Sequence, residues 1–221
     1  MKILLKFSFL ALALALTTSA CKKAPKGEAA KTGDAVSETA KASSTAKTYT
    51  ISNGKINWTG TKIGGQHMGT IDISKGEVSA SDGKVESGSF QIDMNTLVAT
   101  DLKAGDGKED LEGHLKNSDF FDVPNNPTGS FQITSVAPLD GNAEANCTIT
   151  GNLTLKGITK SVAFPANVEM IGDKLSAVTP AFKINRTAWN INYGSGIIGT
   201  AKDKIIHDEV ALVVNFEATA G

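Results

Sequence analysis

The sequence predicts an all-β fold with one or two short helices, built as an extended antiparallel β-barrel of about eight strands. Three observations lead to this prediction. After residue 47 most of the chain alternates apolar with polar residues, and glycine-containing pairs separate the alternating runs. Only one stretch, near residue 110, has helical spacing instead. Alternation with period two is typical of strands that are buried on one face.

The alternating runs define the strands. In the run SFQIDMN, every second residue from Phe90 to Met94 is apolar, and CTITGNLTLK and EVALVVNFEA follow the same pattern. The inner face therefore takes Phe90, Ile92, Met94, Ile149, Leu153, Leu212, Val214 and Phe216. The runs lie near residues 48–52, 55–61, 67–79, 84–98, 128–137, 146–155, 159–169, 174–186 and 205–218.

Turn chemistry divides the chain in the same places. Asn53-Gly54, Asp82-Gly83, Lys156-Gly157 and Gly172-Asp173 each stand between two runs, and such pairs join antiparallel neighbours. Closing the sheet into a barrel removes its exposed edges, and eight strands leave room for packed side chains or one small ligand. A two-sheet sandwich satisfies the same alternation.

The N-terminus predicts export. Residues 1–20 carry Lys2 and Lys6 ahead of a mostly apolar run of ten residues, too short for a bilayer span of about 20, and are predicted to be a signal peptide. Cys21 follows in a setting that resembles a bacterial lipobox, which implies a lipidated Cys21 and a protein of the periplasm or cell envelope anchored to a membrane. A secreted protein with an unpaired cysteine is the alternative.

Two further regions follow Cys21. Residues 22–46 are rich in Ala, Lys, Ser and Thr and contain no aromatic residue. We expect residues 21–46 to be the lipidated cysteine and a flexible tether with a reach of roughly 25–30 Å, and residues 47–221 to be the barrel domain. Without residues 1–20 the chain has 20 basic and 23 acidic residues, a balance that does not indicate nucleic-acid binding.

The stretch between the runs ending near 98 and starting near 128 predicts a short amphipathic helix. Leu111 and Leu115 are one helical turn apart, Asp106 or Lys108 begins the helix, and Pro124 ends it. An apolar stripe on a single helix beside a barrel needs an apolar surface to cover.

Catalytic and metal-binding patterns are missing from the sequence. His67, His114 and His207 have no metal-ligand spacing, and neither a GxSxG elbow nor a phosphate-binding glycine loop occurs. We therefore expect no enzyme activity, no cofactor and no metal. Asp110 and His114 have the spacing of a hydrogen bond on a helix surface.

Several residues point to a cavity or to its walls. Arg186 lies among apolar neighbours, which predicts either a structural pair with Asp119 or Asp122 or a contact with a lipid headgroup. Trp58, Trp189 and Tyr193 are amphipathic aromatics that suit a cavity mouth or the core.

Four segments resemble the YceI-like family of bacterial periplasmic proteins. They are LEGHLKNSDFFDVPNNPTGSF, GNLTLKGITKSVAF and INRTAWNINYG followed by DEVALVVNFEA, in the order of the family. The resemblance covers about residues 48–218. It implies a lipocalin-like barrel whose apolar interior binds the isoprenoid tail of a polyprenol or quinone, with a homodimer as a plausible assembly. It also implies that one of Phe120 and Phe121 faces the cavity and the other the neighbouring strands, unless both are core.

The resulting hypothesis is a membrane-tethered binding or carrier protein for an isoprenoid lipid. Each buried methylene contributes about 0.8 kcal/mol, so few polar contacts are needed. The alternative is an interaction module, related to structure or stress, whose barrel is filled by its own side chains and has no lipid ligand. The residues that we expect to contact the lipid are Trp58, Phe90, Ile92, Met94, Leu115, Phe120, Phe121, Phe131, Ile149, Leu153, Phe164, Phe182, Arg186, Trp189, Leu212, Val214 and Phe216.

Overall fold

The computed structural model describes residues 25–221, without the side chain of Asp203. The expected signal peptide and the expected lipidation site Cys21 lie outside the described residues. The elements, in chain order, are β1 (Glu28–Ala29), β2 (Lys31–Asp34), β3 (Lys47–Lys62), β4 (Gly65–Ser81), β5 (Lys84–Ala99), α1 (Lys108–Lys116), β6 (Thr128–Pro138), β7 (Cys147–Leu155), β8 (Ile158–Ile171), β9 (Lys174–Val178), β10 (Phe182–Asn185) and β11 (Ile206–Ala220).

The strands form a closed antiparallel barrel, as the alternation predicts. Strands β3 to β8 pair in sequence order, β8 pairs with β9, β9 pairs with β11, and β11 pairs back with β3. Strand β10 continues the path of β9 along β11, so the wall has eight positions. The fold class is confirmed, and the sandwich alternative is excluded because the sheet closes.

One predicted turn is wrong. The structure runs a single strand, β3, through Asn53-Gly54, where the sequence predicts a hairpin between residues 48–52 and 55–61. The pairing with β11 shifts by one residue between Glu217 and Ala218, which leaves Ser52 as a bulge. Gly54 serves close packing instead, since a Cβ at this position would lie 2.8 Å from Cβ of Ile73. The other three predicted turns join consecutive strands as expected.

The segment before the barrel is not a free tether. Strand β1 pairs in parallel with β10, and β2 pairs antiparallel with residues 160–163 of β8, so residues 28–34 fill the seam between β8 and β10. Asn152 then holds Val36 by hydrogen bonds of 2.9 and 2.7 Å, and Glu86 holds Ser43. We call residues 25–46 the belt. The expectation of a flexible tether is therefore corrected for the described part, because main-chain pairing does not require the apolar residues that the segment lacks.

The predicted helix is confirmed as α1 and is fixed at one end of the barrel. Glu112 accepts a hydrogen bond of 2.8 Å from the backbone N–H of Ala99, and Lys116 donates one of 2.9 Å to the carbonyl of Asn95. Both partners lie on β5. These contacts hold the Leu111 and Leu115 side of the helix over the barrel opening.

Candidate functional site

The barrel holds an apolar cavity of about 550 Å³ in the half that lies beneath α1. This volume is within the usual range of ligand pockets, roughly 300–1,000 Å³. The walls are aliphatic and aromatic side chains, and the polar groups collect at the open end, where they include Thr61, His67, His114 and His207. The cavity therefore suits an elongated apolar molecule with a polar end.

A layer of phenylalanines forms the floor of the cavity. Phe90 stacks on Phe131 at 5.2 Å between ring centroids, Phe131 contacts Phe164 at 5.6 Å, and Phe164 stacks on Phe182 at 4.4 Å. Below this layer only about 30 Å³ of free space remains. The alternative of a barrel filled by its own side chains describes this lower half alone.

Most of the predicted contact residues line the cavity. Their role in binding stays a prediction, since no ligand is present. The predicted residues on its walls are Trp58, Phe90, Ile92, Met94, Leu115, Phe120, Phe121, Phe131, Leu153, Phe164, Phe182, Arg186, Trp189, Leu212 and Val214. Ile149 and Phe216 are corrected, because both line the small space below the phenylalanine layer instead.

Sequence reasoning missed several wall residues. Ile56, Ile71 and Ile184 each stand between two polar residues, so the same period-two signal could have found them. Leu111 is predicted only as part of the helix. The additional apolar wall residues include Ile56, Ile71, Leu97, Leu111, Val162, Ile184, Ile191 and Val210.

Helix α1 and the segment after it form one side of the cavity mouth. Phe120 and Phe121 both line the cavity, which corrects the expectation that only one of them does. The ring of His114 packs edge-on against Phe120 at 5.0 Å and against Tyr193 at 4.6 Å. Nε2 of His114 lies 3.2 Å from Asp119, so the expected hydrogen bond with Asp110 is replaced by this one.

Arg186 is a structural residue at the edge of the cavity. Its guanidinium donates hydrogen bonds to the carbonyls of Ile191 at 2.7 Å, Ile206 at 3.1 Å and His207 at 3.3 Å, and to Asp208 at 3.2 Å. The predicted pairing with Asp119 or Asp122 is therefore wrong. Burial lowers the pKa of Arg186, and the charge of Asp208 opposes this effect.

The two tryptophans differ in how their indole nitrogens are satisfied. Trp189 is fully buried, and its Nε1 donates a hydrogen bond of 3.0 Å to the carbonyl of Leu153. Trp58 is only 8% exposed, and its Nε1 has no hydrogen-bond partner within residues 25–221. A buried donor without a partner is costly. The ring edge that carries this nitrogen packs against β4, since a Cβ built at Gly69 would lie 2.7 Å from Cε2 of Trp58.

The remaining polar groups at the mouth pair with one another. Nδ1 of His207 lies 2.7 Å from Thr61, and Nδ1 of His67 lies 2.9 Å from Asp101. Although burial favours the neutral carboxyl, hydrogen bonds from the backbone N–H of Met68 and from His67 hold the pKa of Asp101 below its ordinary value. Within the described residues no group of three or more His, Cys, Asp or Glu side chains could hold a metal ion.

Comparison with known protein families identifies the domain. A family model described as YceI-like domain matches residues 39–218, most of the chain. The chain belongs to the YceI-like family. The family match begins within the belt, eight residues before the domain start expected from the sequence.

Relatives of this YceI-like chain are matched over part of their length. A UPF0312 protein of Pseudomonas aeruginosa is 43% identical over 60 residues, which are 27% of this chain and 29% of that protein. A UPF0312 protein of Pseudomonas putida is 30% identical over 98 residues, or 44% and 47% of the two chains. The matched sequence therefore spans less than half of these relatives.

Solved structures share the barrel of the YceI-like domain. BcnA of Burkholderia cenocepacia has a TM-score of 0.57 at 23% identity and covers 75% of this chain and 96% of its own. A polyisoprenoid binding domain from Saccharophagus degradans has a TM-score of 0.53 at 13% identity, covering 78% and 98%. These similarities show that the chain shares its fold with both structures.

Proposed function

We propose that this YceI-like protein binds an isoprenoid lipid, such as a polyprenol or a quinone, with the tail inside the barrel. The observation that carries the proposal is the open apolar half of the barrel above the phenylalanine floor. The solved relative described as a polyisoprenoid binding domain supports the choice of ligand. No catalytic step and no cofactor are part of the proposal.

Apolar burial is sufficient to drive this binding. One five-carbon isoprene unit contributes roughly 3–4 kcal/mol before ordering costs, so a few units in the cavity outweigh the loss of freedom on binding. Specificity then requires few polar contacts.

A carrier role follows if the protein stays at a membrane. The sequence around Cys21 supports lipidation, and we therefore propose a protein anchored in the bacterial envelope that exchanges its lipid with the bilayer. Within residues 25–221 no helix is long and apolar enough to cross a membrane. A homodimer is a further prediction from the family resemblance.

The first experiment identifies the lipid that accompanies the protein. Native mass spectrometry of gently purified protein, followed by solvent extraction, should reveal an isoprenoid mass. Empty preparations that also fail to take up ubiquinone or undecaprenol from ethanol would show that the proposal is wrong.

A pair of variants on β11 makes the test specific to the cavity. Val210 lines the cavity, whereas Val213 does not. Val210→Phe narrows the cavity and should reduce lipid uptake, and Val213→Phe adds the same atoms outside it and should bind normally. Equal uptake by both variants would place the lipid elsewhere on the protein.

A further inference from the structure

Four large apolar side chains are exposed together at the mouth of the cavity. Their exposed fractions are 52% for Ile63, 44% for Tyr193, 75% for Ile197 and 59% for Ile198. Water-exposed apolar groups that cluster around an opening mark an interaction surface more often than isolated ones do. We call these four residues the mouth patch.

Backbone contacts hold the mouth patch in one place. A short 3-10 helix at residues 196–198 is followed by a loop that leads into β11 and contacts the end of β3. There the N–H of Ile63 donates a hydrogen bond of 3.2 Å to the carbonyl of Ile205. The N–H of Ile206 donates to the carbonyl of Gly194 at 2.8 Å. Ile63 and Tyr193 also line the cavity, so the patch is continuous with its apolar interior.

Unpaired positive charges stand beside the patch. Lys62 adjoins Ile63, and Lys202 and Lys204 follow the loop that carries Ile197 and Ile198. All three lysines are exposed, and none forms an ion pair with another described residue.

Three acidic side chains near the mouth have partners among the described residues. Asp208 pairs with Arg186, whereas Asp101 and Asp119 hydrogen-bond to histidines. Asp203 stands between Lys202 and Lys204 in the sequence, so the three lysines keep a formal excess of two positive charges for an external anion.

We propose that the mouth patch docks on a lipid bilayer whose headgroups are anionic. Isoleucine and tyrosine side chains enter the boundary between headgroups and acyl chains, and lysines at the same level contact lipid phosphates. In this orientation the cavity opens towards the bilayer, and a lipid passes between the two without crossing water. The inference goes beyond the proposed function, because contact between this surface and a bilayer does not require an occupied cavity.

The test uses the chain from Lys22 onward, which keeps every described residue and removes any acyl anchor. Flotation with phosphatidylcholine vesicles, with and without phosphatidylglycerol, measures binding. The double variant Ile197→Ser with Ile198→Ser should weaken binding to the anionic vesicles about tenfold. Ile171→Ser is the control, since Ile171 is 78% exposed as the last residue of β8, at the other end of the barrel.

The lysines are tested in the same assay. Replacing Lys62, Lys202 and Lys204 by Gln should weaken binding to vesicles that contain phosphatidylglycerol and leave binding to phosphatidylcholine unchanged. Lys84→Gln with Lys174→Gln, two exposed lysines at the other end, should change neither. Circular dichroism verifies that each variant is folded.

The outcomes separate this inference from the proposed function. Failure of the wild-type chain to float with anionic vesicles, or equal losses in Ile171→Ser and in the double variant, would overturn the docking surface. Uptake of ubiquinone from ethanol is measured without vesicles and tests the cavity alone. A chain that floats but takes up no isoprenoid would keep the docking surface and reject the lipid ligand.

Discussion

The ring of Phe164 stacks on that of Phe182 with centroids 4.4 Å apart and planes inclined by 5°. Phe164 lies on β8 and Phe182 on β10, the two strands that β1 and β2 separate in the wall. The stacked pair therefore joins the two sides of the seam from inside the barrel while the belt joins them in the sheet. One structural relationship thus closes the wall and forms part of the cavity floor.

Phe131→Ala should lower the stability of the barrel strongly. Phe131 is buried and contacts both Phe90 and Phe164, so its removal opens the floor and leaves a void. We expect the free energy of unfolding to fall by about 3–5 kcal/mol, measured by urea denaturation. Val178→Ala, at an exposed side chain, is the control and should cost far less. A small effect of Phe131→Ala would mean that the floor is not packed as described.

Gly27→Ala should detach the belt without unfolding the barrel. Gly27 has φ of +127°, and a Cβ there would lie 2.6 Å from the carbonyl oxygen of Ala181. Hydrogen exchange should then speed up at Ala30, whose N–H donates to Lys183, and leave the amides of β4 protected. Gly33→Ala is the matched control, because a Cβ at Gly33 meets nothing within 4 Å. Unchanged exchange at Ala30 would contradict the belt's placement.

Arg186→Lys should destabilise the protein by about 2–4 kcal/mol, because an ammonium cannot replace a buried guanidinium with four acceptors. The control is Lys183→Gln, which breaks the more exposed pair with Glu209 between β10 and β11 and should cost under about 1 kcal/mol. Thermal and urea unfolding measure both. Similar losses would show that burial of Arg186 is not what makes its contacts matter.

Asp101 should contribute stability that disappears in acid. Because its folded pKa lies below the ordinary value of 3.8, the stabilisation is fully present above that value and is lost as the pH falls through the lower folded pKa. Asp101→Asn removes this contribution and should flatten the pH dependence of the unfolding free energy below about pH 5. The comparison requires urea titrations of both proteins from neutral to acid pH. Parallel curves would rule out a folded-state interaction at Asp101.

The barrel could be predicted from the sequence because period-two alternation shows which face of a strand is buried. It does not report height along the barrel, and for this reason Ile149 and Phe216 were assigned to the cavity although they lie below its floor. The turn predicted at Asn53-Gly54 was wrong for another reason. A glycine there allows close approach to Ile73, and this need looks the same in sequence as the need for a turn.

The belt left no sequence signal because nothing in it is apolar enough to form a pattern. Residues 31–34 are all exposed, and they are held by main-chain pairing and by the ion pair between Asp34 and Lys160. Such pairing depends on the free edges of β8 and β10, which only the tertiary structure reveals. The unpartnered Nε1 of Trp58 is likewise a property of the folded surroundings and not of the residue type.

The path of the belt would also limit how far the barrel stands from the acyl chain that we propose at Cys21. Pro25 is already buried against the protein, and the four residue steps from Cys21 to Pro25 span at most about 14 Å when fully extended. A lipid attached there would keep one flank of the barrel close to the headgroups, with little lateral sweep. Releasing residues 25–46 would lengthen this distance several-fold. The pairing of β1 with β10 and of β2 with β8 would therefore set the distance between the barrel and the membrane.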